Sequence, residues 1–62
     1  MLIRIIEQFL RETEMAPTRF GRLAVRDPRF VLDLRNGREP RPSMEQRVHH
    51  FIARERSAQH GR

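Results

Sequence analysis

Two short apolar stripes, broken once and then stopped by glycine, lie between Pro17 and Gly37 of this 62-residue chain. Phe20, Leu23 and Ala24 repeat at helical spacing, and so do Phe30, Val31 and Leu34. Between them, Val25-Arg26-Asp27-Pro28 ends one stripe and opens the next. Asp27 can accept hydrogen bonds from the first free N–H groups of a helix, and Pro28 suits the first helical position. A helix over 28–36 follows, with Gly37 as its C-terminal stop. Gly21, inside the first stripe, leaves room for the second helix to cross close by. The pattern over 17–36 therefore predicts two short helices joined by a tight turn.

A longer helix is expected on each side. From Leu2 to Thr13 apolar residues fall at 2, 6, 9 and 10, with Ile3 and Ile5 widening the stripe. Pro17 disfavours helical angles at Ala16, so the first helix ends before it. After the stiff loop Gly37-Arg38-Glu39-Pro40-Arg41-Pro42, Ser43 and Gln46 have the spacing of a capping box. Met44, Val48, Phe51 and Ile52 then supply an apolar face. From about Glu55 the chain is polar, and residues 56–62 are expected to fray. The expectation is one all-α domain over 1–55, with four helices and room for a short fifth turn. Such a short chain buries only about 60% of its unfolded surface, so its core is modest.

A short helix with a polar outer face, set against another by a tight turn, is the geometry that enters a DNA major groove. From Phe9 to Ile52 the sequence resembles the λ-repressor/Cro-like (XRE-type) helix-turn-helix proteins. Phe20-Gly21 matches the apolar-small pair of the first motif helix in that family. Val31 and Leu34 match the apolar pair of the recognition helix, Arg35-Asn36-Gly37 its charged-x-Gly end, and Arg41-Pro42-Ser43 the proline loop that follows. Two positions depart from the family pattern. Val25-Arg26 stands where a glycine and an apolar residue are usual, and Ala16 where Ser or Thr caps the helix. The resemblance implies a λ-repressor-like fold and a sequence-specific regulator of transcription, cytoplasmic and nucleoid-associated, of a prokaryote or phage.

The charge pattern agrees with a polyanionic partner. Between Pro17 and Pro42 seven arginines face three acids, a net of +4, whereas the remaining segments carry only +1. Clustered cations of this kind neutralise phosphates and release counterions. All thirteen basic residues are arginine. GC-rich coding accounts for that, and so does a surface suited to forked contacts with phosphate and guanine.

On the second motif helix, inward Phe30, Val31 and Leu34 leave Arg29, Leu32, Asp33 and Asn36 outward as base readers. Arg29 suits guanine, Asn36 adenine or a phosphate, and Leu32 a thymine methyl. Asp33, four residues after Arg29, is expected to orient that guanidinium or accept from cytosine; an ordinary solvated ion pair is the plainer reading. Thr18, Arg19, Arg22, Arg26, Arg38 and Arg41 are the phosphate candidates, although Arg22 and Arg26 could equally face solvent.

Other chemistries find little support. There is no cysteine, hence no disulfide framework and no thiolate zinc site. His49 and His50 are adjacent on a helix and diverge, so they do not share a metal readily. No nucleophile–base pairing or glycine-rich phosphate loop is visible, and no apolar run reaches membrane-spanning length. The expectation is a non-enzyme without cofactor, small-molecule ligand or membrane contact, whose partner is double-stranded DNA. One short helix reads few base pairs, so a homodimer or protein partner is expected too. The apolar surplus of Leu2, Ile3, Ile5 and Ile6 either serves such a contact or thickens a thin core. Two other functions remain open: an architectural DNA protein of low specificity, and an antitoxin-like protein-interaction module.

Overall fold

A computed structural model describes residues 1–60; Gly61 and Arg62, the end of the expected tail, lie outside the described residues. Four helices follow in order, α1 (Leu2–Thr13), α2 (Pro17–Val25), α3 (Phe30–Arg35) and α4 (Pro42–His60), with no strand among the described residues. None is long and apolar enough to cross a membrane.

Each boundary has a local cause. α1 stops where Glu14 takes a left-handed conformation at φ 56°, and the Thr13 hydroxyl donates back to the Phe9 carbonyl at 2.8 Å. α2 starts with Pro17 in its first turn, preceded by extended Ala16, which offers no side-chain cap. It ends at Arg26, also left-handed at φ 60°, whose N–H returns to the Arg22 carbonyl at 3.1 Å, while the next N–H, that of Asp27, returns to Gly21 at 3.0 Å. Arg26 thus adopts a conformation for which glycine would be cheaper.

The next helix is shorter than the 28–36 expected. The Asp27 carboxylate accepts from the Arg29 N–H at 3.0 Å, as anticipated, but the Asp27 carbonyl also accepts from Phe30 at 3.1 Å. Those two bonds hold Pro28 and Arg29 in a turn, so α3 proper begins at Phe30 with Arg29 as its cap. Its end is a Schellman motif. Gly37, at φ 99°, donates to Leu34 at 3.1 Å, and Arg38 donates to Asp33 at 3.0 Å.

α4 begins one residue before the expected capping box. Glu45 donates to the Arg41 carbonyl at 3.0 Å, and Pro42 takes the first helical position where no N–H is needed. Ser43 therefore lies inside the first turn rather than capping it. The helix also runs past Glu55 to His60. There Arg56 reaches Glu12 of α1 at 3.0 Å, which ties the polar end of α4 to the body of the domain.

The core gathers Leu2, Ile6, Phe9 and Leu10 from α1, Phe20, Ala24 and Val25 from α2, Phe30, Val31 and Leu34 from α3, and Val48 and Ile52 from α4. Phe9, Phe20 and Phe51 meet edge to face, with ring centroids 5.4–6.1 Å apart. Such pairs add roughly 0.5–1.5 kcal/mol each beyond the area they bury. Leu23, expected in the core stripe, is half exposed, while Val25, expected in the break, is buried. α2 is pressed against α3 on one side and α4 on the other. The buried face centres on Phe20, Gly21 and Ala24, and Leu23 falls at its edge. Ile3 packs against the core, whereas Ile5 and Met1 stay exposed.

Candidate nucleic-acid interface

α3 is held from below by Phe30, Val31 and Leu34, which leaves a short outward strip. Leu32 is 41% exposed there, beside exposed Arg29 and Asn36. The backbone at each end is constrained. Arg29 N–H is bound by the Asp27 carboxylate, and Asn36 N–H donates to the Leu32 and Asp33 carbonyls, both at 3.1 Å. The side chains of Arg29 and Asn36 are exposed and form no hydrogen bond or ion pair among the described residues, so both present their donors to solvent.

Asp33 does not belong to that strip. It is half buried and accepts from Arg38 Nη1 at 3.0 Å, while Arg38 also lies 3.6 Å from the Asp27 carboxylate. The expected Arg29–Asp33 pair is therefore absent. The Schellman turn explains the exchange. It folds Arg38 back over the C-terminal turn of α3, where its guanidinium outcompetes Arg29 for the carboxylate. Arg38 is consequently occupied by two acids rather than held ready for a phosphate, and the cluster it forms keeps a net charge of −1.

The other phosphate candidates remain open. Thr18 and Arg19 lie in the first turn of α2, where Phe20 makes the first backbone bond to Ala16 at 3.0 Å. The N–H groups of Thr18 and Arg19 thus lack helical acceptors. Arg22, Arg26 and Arg41 are exposed, and like Arg19 and Arg29 they form no ion pair among the described residues. Arg35 differs. It grips Glu7 of α1 through two bonds, Nε at 2.7 Å and Nη2 at 2.8 Å. From Pro17 to Pro42, five arginines therefore stay unpaired against a single unpaired acid, Glu39.

The Arg35–Glu7 fork was not foreseeable from local spacing, because 28 residues separate its partners. It braces α3 against α1. The hydrogen bond from Arg35 holds the Glu7 carboxyl below its ordinary value of 4.5, partial burial opposes this, and the charges of Arg35 and Arg11 assist. The same bond pushes Arg35 upward, so the guanidinium stays charged throughout. A carboxyl depressed in the folded state stabilises above its unfolded pKa, and that contribution disappears as pH falls through the folded pKa. Glu7→Gln should cost about 1 kcal/mol at neutral pH, the upper end for a partly exposed forked pair. Urea unfolding of the two chains should converge once the pH drops below the ordinary glutamate range. A gap that persists in acid would mean that Glu7 acts by packing rather than by charge.

Among the described residues, no three acidic or histidine side chains gather in a way that could hold a metal ion. Exposed His49 and His50 follow one another on α4. No protein-family model matches the chain, and neither curated proteins nor solved structures yield a significant match.

Proposed function

We propose that this protein binds double-stranded DNA with sequence preference, as a transcriptional regulator, placing the outward strip of α3 in the major groove. The observation that carries the reading is the division of labour on α2 and α3. Leu32 stands exposed on a short helix whose opposite face is locked in the core, with Arg29 and Asn36 exposed at its two caps. Unpaired Arg19, Arg22 and Arg26 flank them on α2 and its following turn. Readers on a rigid element, with flexible cations around them for phosphates, is the arrangement that separates base readout from backbone attraction. A single six-residue helix reads few base pairs, so a specific site calls for two copies or a second protein.

Selection of bound duplexes from a random pool, followed by footprinting, tests this directly. A palindrome with half-sites about one helical turn apart is the expected product for a dimeric reader. Arg29→Ala should lower affinity for the selected site by about 1–3 kcal/mol, leave random duplex nearly unaffected, and preserve the helical spectrum. If the pool yields no enriched sequence while binding weakens steeply with salt, the protein is an architectural DNA binder. The short strip with one arginine among its readers favours that as the second reading.

A further inference from the structure

α2 and α4 line a cleft of about 520 Å³ on the surface. Its apolar part comes from Leu23, Ala24 and Phe51, and its polar rim from Arg47, His50 and Arg54; no acid lines it. Leu23 is 50% exposed, although the same helix buries Phe20 completely. Phe51 is fixed edge-on against Phe9 and Phe20, so the floor is set by the core rather than by a mobile side chain. Neither rim arginine has a carboxylate partner among the described residues.

We infer that this cleft is a docking site for an acidic amphipathic helix of a partner protein. Arg47 and Arg54 are seven residues apart on one helix, about 10 Å along its axis. Two carboxylates at the same spacing on a partner helix could meet both, while an apolar residue between them covers Leu23 and Phe51. A nucleic acid fits less well, because a phosphate backbone would satisfy the arginines and leave the apolar floor wet. A second copy of this chain fits less well too. Of its exposed large apolar residues outside the cleft, Leu32 lies beside Arg29 in the α3 strip, Met1 and Ile5 are flanked by Arg4 and Arg11, and the nearby acids Glu7 and Glu12 are already held by Arg35 and Arg56. Seating α1 in the cleft would bring four guanidinium groups together on a chain of net charge +5. The site is separate from the strip on α3, so it does not depend on the DNA-binding reading.

The test uses the full chain, isotope-labelled, titrated with three probes. One is a helical peptide of about four turns with glutamates at i and i+7 and leucines between. The second carries lysines in place of the glutamates, and the third is a random DNA duplex. The acidic peptide alone should shift the backbone amides of Arg47, His50 and Phe51, which line the cleft from α4, away from the arginines of α2. The double variant R47E/R54E should weaken it roughly tenfold or more, as expected for like charges brought face to face. L23D should do likewise through the floor, and both variants alter exposed side chains, so wild-type circular dichroism is expected. The proposal is overturned if the acidic peptide does not bind, if the lysine peptide binds as well, or if R47E/R54E changes nothing. It is also overturned if duplex DNA shifts the same three amides, or if they shift with protein concentration alone.

Discussion

Phe20→Ala is expected to leave most of the protein unfolded at room temperature. Phe20 is completely buried, and its ring meets Phe9 at 5.6 Å and Phe51 at 5.4 Å, so one side chain joins α1, α2 and α4. Truncating a buried phenylalanine costs about 3–5 kcal/mol, the lost transfer energy plus the cavity left behind. A core of this size rarely supplies more than about 3–5 kcal/mol in total. The two quantities match, and the balance tips. Circular dichroism should show the helical signal collapsing, and Phe20→Leu should recover a large part of it. A midpoint in urea that moved only slightly would show that the aromatic triad is not what joins these helices.

Gly21→Ala sets two effects against each other. In an isolated helix alanine would be favoured by about 1 kcal/mol. Here a Cβ at Gly21 would overlap the backbone carbonyl oxygen of Asp27 and press on the Phe30 Cβ at 3.3 Å. Backbone cannot rotate aside as a side chain does, so the cost lies at or above the upper end of the roughly 1–3 kcal/mol range for overpacking. A net loss of about 2 kcal/mol or more is expected, lowering the melting midpoint by at least roughly 8–16 °C in a domain this small. Since the displaced segment is the turn that delivers Arg29, the proposed DNA binding predicts that affinity for duplex falls in the same variant even where it remains folded. A stabilised Gly21→Ala would mean that helix propensity wins and that α2 and the turn are not in close contact.

Much of the architecture was legible because local rules and tertiary needs agreed. The 3.6-residue periodicity of Leu2, Ile6, Phe9 and Leu10 marked α1, and all four are buried. Pro17 at the start of α2 and Gly37 past the end of α3 are backbone requirements that do not depend on neighbours. Gly21 was readable for the same reason, since a glycine inside a helix costs stability unless something must come close.

The misreadings share a different cause. Leu23 has the spacing of a core residue, yet α3 and α4 between them cover only the part of α2 centred on Phe20, Gly21 and Ala24. Asp33 and Arg29 are correctly spaced for a helical pair, but α3 starts one residue too late to include Arg29, and Arg38 arrives over Asp33 instead. Arg35 counted toward the excess charge of residues 17–42 until α1 supplied Glu7. Each of these is a competition among partners, and spacing along one helix cannot rank competitors that other helices bring in.

The sequence by itself determined four amphipathic segments, where the three connections between them fall, and a surplus of arginine concentrated around the middle pair. Those follow from backbone sterics and from periodicity, which act within a few residues. Only the tertiary structure decided which arginines are spent. Packing places Arg35 on Glu7, Arg38 on Asp33 and Arg56 on Glu12. That leaves Arg19, Arg22, Arg26, Arg29 and Arg41 open around α2 and α3, with Arg47 and Arg54 open along α4. Charge is a property of the residue, but its availability to a partner is settled by which opposite charge the fold has already brought within reach.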